Sequence, residues 1–259
     1  MIRVVIHKTC PTSLKVMLFL KERGLLKDAE IIDAEEEPFK AIQLGVLSVP
    51  AIFVDEKIVA MGPVDFESLN DRLSGKKIYA ENINAKYGLK QTFIAILDSL
   101  GTASWVYFRE DIKDILEYRA LVEPAIGIVD WEESKKESYL KEVYDYFLSK
   151  KNMFMKTYST YFFKNFTKNF IREQYWLHGI WPDENVFNIY TLEVFTHWLI
   201  LRSAIGRIGM KMDALKDPRK KELAEKAYNG VKERFNSILK EVKKEAEYVE
   251  EMQRKLEMT

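Results

Sequence analysis

The sequence predicts an α/β domain over residues 1–75 followed by an all-helical remainder. Two observations carry this. Up to Gly75, short apolar runs of strand type alternate with stretches at helical spacing, each pair separated by Gly, Pro or a polar turn. Beyond about residue 87 the apolar residues recur at three- and four-residue steps only.

Val4 to Ile6 is a β-branched run suited to a buried strand. Leu14-Lys-Val-Met-Leu-Phe-Leu-Lys-Glu-Arg23 follows at helical spacing and is stopped by Gly24. Ala29-Glu-Ile-Ile-Asp-Ala34 reads as a second strand. Glu37 to Leu44 reads as a short helix entered through Pro38 and closed by Gly45. Val49-Pro-Ala-Ile-Phe-Val54 and Ile58-Val-Ala-Met61, joined at Asp55-Glu56-Lys57, form a hairpin. Gly62-Pro63 breaks it, and Val64 to Leu73 forms the last helix of the domain. The order is β-α-β-α-β-β-α. Strands one and two, joined through a helix, are expected to be parallel, and the hairpin to add antiparallel strands.

Residues 76–86 are a polar linker, and residues 87–259 the helical domain. Helices are expected over Leu89–Leu100, ending at Gly101, and over Ser104–Leu121, ending before Glu123-Pro124. A segment from Trp131 to Leu177 must break at an internal point, and another helix spans Val186–Ile208, with Asn188 to Thr191 a weak capping signal inside it. Asp217-Pro218 opens the last helix, with Asp as cap and Pro at the first helical position. Its stripe of Leu223, Ala227, Val231, Phe235, Ile238, Val242, Ala246, Val249, Met252 and Leu256 suits either packing within the chain or pairing with a second subunit, as in a homodimer.

Forty basic and forty acidic residues give zero formal charge, which disfavours nucleic acid as the main partner. No stretch reaches the about 18 apolar residues that span a bilayer, and no signal peptide is recognisable, so a cytoplasmic location is expected. The single cysteine excludes an intramolecular disulfide and a multi-thiolate zinc site.

That cysteine lies in Arg3-Val-Val-Ile-His-Lys-Thr-Cys-Pro-Thr-Ser13, where a strand gives way to a helix N-terminus. Pro11 suits the first helical turn, where its missing N–H costs nothing. A thiol placed there faces unpaired amides and the positive end of the helix dipole, both of which favour the thiolate. The plain alternative is a small buried hydrophobe. His7 and Lys8 could add positive charge, or simply end the strand and face solvent.

The element order, Cys10-Pro-Thr-Ser13 after the first strand and Ser48-Val-Pro50 before the third together resemble a glutaredoxin, and equally the N-terminal domain of a glutathione transferase. The resemblance covers the first 75 residues. It implies a thioredoxin-like fold, a cis peptide bond at Pro50 beside the cysteine, and a Val49 backbone that pairs with an extended thiol substrate. It further implies that Gly62 and the following residues hold the amino acid end of glutathione, with Asp65 meeting its α-amino group. An N-cap role explains Asp65 equally well. Glu67 and Ser68 resemble the acidic-Ser pair of the transferases but lie slightly too far along. Ser13 replaces the second thiol of a dithiol glutaredoxin, so a mixed disulfide on Cys10 needs an outside thiol to resolve it. Ser13 would hydrogen-bond the thiolate or cap the helix. The Gly and Phe of iron–sulfur monothiol glutaredoxins are missing. Cys-Pro-x-Ser is closest to the cysteine-type transferases and their chloride-channel-like relatives. An all-helical domain behind such a module is glutathione-transferase-like architecture.

The expected function is therefore that of a monothiol thioltransferase: Cys10 and Ser13 catalytic, Pro11, Val49, Pro50, Gly62 and Asp65 binding substrate. Glutathione or another low-molecular-weight thiol serves as co-substrate, a small thiol or protein disulfide as substrate, and no cofactor stays bound. The alternatives are a non-catalytic interaction module, binding a protein or apolar ligand through its helical domain, and a conjugating transferase. The aromatics of residues 153–200 suit an apolar acceptor pocket or a helical core. Glu193 and His197 share a helix face at four-residue spacing but do not by themselves make a metal site.

Overall fold

The computed structural model describes residues 1–76, 89–90, 92–203 and 216–257. Most of the linker at 76–86 and the end of the helix expected to reach Ile208 fall outside these residues. The chain divides into two compact units: Met1–Ile96 with Asp114–Tyr144 and Glu245–Thr259, and Leu97–Lys113 with Asp145–Lys244.

In the first unit β1 (Ile2–Ile6), α1 (Pro11–Glu22), β2 (Ala29–Asp33), α2 (Pro38–Gln43), β3 (Ala51–Val54), β4 (Lys57–Met61) and α3 (Phe66–Leu73) follow in the expected order. The sheet runs β2-β1-β3-β4. β1 is parallel to β2, with Ile6 opposite Asp33, and antiparallel to β3, with Val5 opposite Ala51. β3 and β4 are antiparallel with a register shift at Ile52/Phe53. Asp55 and Glu56 turn the hairpin in left-handed conformations, φ 47° and 66°, as a two-residue turn between twisted strands requires.

Successive residues of β1 point to opposite faces, and both faces are covered. Val4 and Ile6 pack with Val16, Phe19 and Leu20 of α1 and Leu69 of α3. Val5 packs with Ile32, Ala41, Ala51, Phe53 and Met61 on the other side. That is why Val4-Val5-Ile6 reads as an unbroken apolar run instead of an alternating one.

The second face also receives α6 (Arg119–Ile126), whose Leu121 joins the Val5 cluster. Arg72 of α3 locks this arrangement. Its guanidinium, on a side chain only 7 % exposed, donates to the Val59 carbonyl at 3.2 Å and the Gly127 carbonyl at 3.0 Å, and pairs with Asp130 at 2.9 Å. Lys57 holds the other Asp130 oxygen at 2.8 Å. Burial favours protonation of Asp130, but hydrogen bonds from Lys57 and Arg72 outweigh it and hold the carboxyl below its usual range.

Elsewhere the helices differ from the sequence expectation at identifiable points. Residues 92–98 are helical, but Gly101 ends nothing: it lies within α4 (Leu100–Arg109). A Cβ there would stand 3.0 Å from the Arg202 carbonyl, so this glycine permits a close backbone approach. The expected Ser104–Leu121 helix is interrupted after Arg109, where Glu110 adopts φ 50° and Asp111 accepts the Lys113 amide at 3.0 Å. α5 (Lys113–Glu117) and α6 follow, and α6 encloses Pro124. The Trp131–Leu177 segment becomes α7 (Glu133–Thr157), which leaves helical geometry at Lys150, and α8 (Ser159–His178). α9 (Val186–Ile189) and α10 (Leu192–Arg202) are separated by Tyr190 and Thr191, and Thr191 stands at the N-cap position of α10 without a side-chain cap bond.

α11 (Pro218–Glu257) starts as read, with Asp217 Oδ1 accepting the Arg219 amide at 2.9 Å. Its stripe is buried at Ala227, Val231, Phe235, Ile238, Val242, Val249 and Met252, the intrachain alternative of the two. The second unit's core is aromatic: Phe162, Phe166, Phe170 and Phe195 are fully buried. Phe170 meets Tyr190, Phe195 and Trp198 edge-on, and each such ring contributes on the order of 2–3 kcal/mol by burial. Gly230 of α11 lies under Phe163, where a Cβ would come within 2.7 Å of the ring. Among the described residues no helix is long and apolar enough to cross a membrane.

Three outcomes follow from this packing. Arg72→Met should lower unfolding free energy by about 2 kcal/mol in urea melts, since it strips partners from two carbonyls and a half-buried carboxylate. Asp130's depressed pKa contributes stability that is present above its unfolded value of about 3.9 and is lost as pH falls through the lower folded value. Wild type should therefore lose stability more steeply than Asp130→Asn between about pH 5 and pH 2. Gly230→Ala should destabilise by about 1–3 kcal/mol despite alanine's better helix propensity, because overpacking against Phe163 outweighs it.

Candidate active site

Cys10 is where the extended backbone of the β1–α1 loop becomes helical. It is the N-cap of α1, with φ −87° and ψ 115°, and Pro11 occupies the first helical position. No side-chain hydrogen bond caps this helix, so its first amides keep their donor capacity facing the Cys10 end. The thiol is partly exposed. Its Sγ lies 3.9 Å from the Val49 carbonyl oxygen, toward which the S–H donates. The Val49–Pro50 peptide bond is cis.

The loop is held by its own polar groups. Cys10 donates its amide to the His7 carbonyl at 2.9 Å, and Leu14 donates to the Cys10 carbonyl at 3.1 Å. His7 donates its amide to Ser13 Oγ at 3.3 Å. His7 Nδ1 accepts from the Thr9 amide at 3.3 Å and stands 3.0 Å from Thr9 Oγ1. Ser13 is fully buried, and its hydroxyl ties the end of β1 to the first turn of α1. The hydroxyl does not cap α1, as one sequence reading expects, because no side chain caps that helix; it accepts the His7 amide outside it instead.

Lys8 points away from service to the thiol. Its ammonium is bonded to Glu36 and lies 3.2 Å from Asp33 Oδ2. Those two carboxylates, Glu36 first, raise the lysine above its ordinary pKa. Asp33 is itself largely buried and accepts the Glu35 amide at 2.9 Å. The sequence reading gave Lys8 a solvent-facing alternative but did not pair it with Asp33 and Glu36. A carboxylate ending a buried strand opposite Ile6 was the available signal.

On the far side of the thiol, Pro50 is buried and its carbonyl accepts the Gly62 amide at 2.8 Å. Gly62 has φ +77°, and a Cβ there would stand 3.3 Å from Ser48 Oγ. The positive φ favours glycine here, and a Cβ would also press on the Ser48 hydroxyl. Cys10, Val49, Pro50 and Gly62 are thus linked in sequence by contacts from the first helix to the hairpin end. Asp65 is the N-cap of α3: Oδ1 accepts the Glu67 amide at 3.2 Å and Oδ2 the Ser68 hydroxyl at 2.6 Å. The N-cap alternative describes those oxygens, and Ser68 serves the cap.

The other candidates belong to the second unit. The dense aromatics of residues 153–200 largely form the core of the second unit. Glu193 is exposed and accepts from Thr191 Oγ1 at 3.0 Å, and His197 is exposed on the same helix. Among the described residues no group of three His, Cys, Asp or Glu side chains is placed to hold a metal ion.

One residue of the site carried no sequence signal. Gln253, near the end of α11, donates from Nε2 to the Lys8 carbonyl at 3.0 Å. No family model matches the chain, and neither a curated protein nor a solved structure matches it.

Proposed function

We propose that the chain is a monothiol thiol–disulfide oxidoreductase of thioredoxin-like, glutathione-transferase-like build, with Cys10 as nucleophile. The observation that carries this reading is the partly exposed Sγ at the head of α1, 3.9 Å from the Val49 carbonyl. The four linked residues of the sheet end supply what such chemistry needs: a reachable sulfur, helix amides facing it, and an extended backbone segment alongside.

In the first step the Cys10 thiolate attacks one sulfur of a disulfide RS–SR′. A Cys10–S–S–R bond forms, the S–S bond breaks, and R′S⁻ departs and takes a proton from water. A second small thiol, as thiolate, then attacks the R sulfur. The R–S–S–R″ product leaves and Cys10 is restored as thiolate. Glutathione or another low-molecular-weight thiol fills these roles. Val49 offers its main chain to the extended substrate, with Pro50 and Gly62 setting the conformation of that segment and Pro11 that of the helix start. Asp65 orients the start of α3 and, beyond its cap bonds, is the acidic group nearest in sequence to Gly62. Ser13 acts by holding His7. Reversible chemistry of this kind belongs in a reducing compartment, which fits a cytoplasmic protein.

The competing reading, an interaction module, draws on Trp176, Leu177 and Ile180, which are 53 %, 68 % and 71 % exposed at the end of α8 in the second unit.

Incubating the folded protein with oxidised glutathione should give one glutathionyl adduct by intact mass, removed by added thiol. Cys10→Ser should give none while keeping the wild-type unfolding midpoint. A folded wild-type protein that forms no adduct with glutathione disulfide or other small disulfides overturns the proposal in favour of the interaction module.

A further inference from the structure

We infer that Gln253 is a positioning residue for the Cys10 thiol, acting through the carbonyl of Lys8. The inference rests on the thiol-exchange reading for its effect on rate, but not for its effect on the loop.

The β1–α1 loop is gripped at Lys8 from two directions. On one side its ammonium is held by Glu36 and Asp33. On the other, Gln253 Nε2 donates to its carbonyl at 3.0 Å across 245 positions of sequence. Two residues later comes Cys10, whose amide is bonded back to the His7 carbonyl. Fixing the Lys8 peptide plane therefore fixes the hydrogen-bonded turn that sets the direction of the Cys10 side chain toward Val49.

Gln253 can serve this purpose because its own helix is anchored independently, within the same unit. Val249, Met252 and Leu256 of α11 pack on Leu14 and Leu18 of α1. Lys21 Nζ, near the end of α1, donates to the Lys255 carbonyl at 2.6 Å and the Leu256 carbonyl at 3.3 Å. Both carbonyls belong to the last described turn of α11. Lys15 Nζ also lies 5.9 Å above the Tyr248 ring. The apolar contacts and Lys21 dock the helix, and Gln253, on the flank of that seam, is left to reach the loop. A donor is needed at this position: an amide or an ammonium meets a carbonyl, whereas an ionised carboxylate cannot.

The test compares Gln253→Ala, Gln253→Glu and Gln253→Lys with wild type in the full chain. The readouts are residue-resolved amide hydrogen exchange, the rate of mixed-disulfide formation with oxidised glutathione, and the unfolding midpoint. Alanine and glutamate should raise amide exchange at Thr9 and Cys10 by about fivefold and slow disulfide formation by a similar factor, the worth of one ordinary hydrogen bond. Lysine should stay within about twofold of wild type, because it donates to the same carbonyl. Exchange across Leu14–Leu20 and the unfolding midpoint should not move. Wild-type behaviour of the alanine and glutamate variants overturns the assignment. So does a rise spread evenly over Leu14–Leu20, which marks simple undocking of α11, or a lysine variant that behaves like alanine. If wild type itself reacts with no disulfide, the thiol-exchange reading falls, and the amide exchange pattern still decides whether Gln253 holds the loop.

Discussion

The structure of the first unit depends on β1 being an interior strand. It is hydrogen-bonded to β2 on one side and β3 on the other, and Val4 and Val5 are fully buried on opposite faces. A strand in that position must leave the sheet at its end with no freedom to wander, since both faces and both edges are occupied. The loop from His7 to Cys10 therefore emerges beside the entry to β3. Because β1 and β3 are antiparallel, the end of one strand lies against the start of the other, and Cys10 faces Val49. The sulfur and the Val49 backbone are brought together by strand pairing, before any side chain of the loop contributes.

Polar groups then remove the remaining freedom. The buried Ser13 hydroxyl takes the His7 amide, the His7 ring takes the Thr9 amide, and the His7 carbonyl takes the Cys10 amide. Each bond satisfies a backbone group that the end of a strand or the start of a helix would otherwise leave unpaired. What results is a hydrogen-bonded turn that ends in one partly exposed sulfur. At the other end of the unit, Arg72 does comparable work by joining α3, β4 and the stretch after α6 through two carbonyls and Asp130.

The second unit is organised by a different constraint. Large aromatic side chains fill its interior, and small residues mark where backbone or ring must come close, as at Gly101 beside the Arg202 carbonyl and Gly230 beneath Phe163. Helix lengths there follow packing. A glycine that looks like a terminator lies inside a helix, and a stretch with continuous helical spacing breaks at Lys150 and Tyr158.

The sequence by itself determined the element order of the first 73 residues, the parallel and antiparallel pairing of its strands, Pro11 at the first helical position and the Asp217-Pro218 start of α11. These are local matters: β-branched runs, proline's missing amide and short polar caps act over a few residues and need no distant partner. It also singled out Cys10, because a lone thiol between a strand and a helix start is legible from neighbours alone. The tertiary structure decided what Lys8 pairs with, which amides the Ser13 and Asp65 side chains accept, and where the helices between residues 98 and 203 stop. It alone brought Leu121, Asp130 and Gln253 to the first 75 residues. Those contacts join positions tens to hundreds of residues apart, and periodicity records which face of a helix is apolar but not what that face will meet.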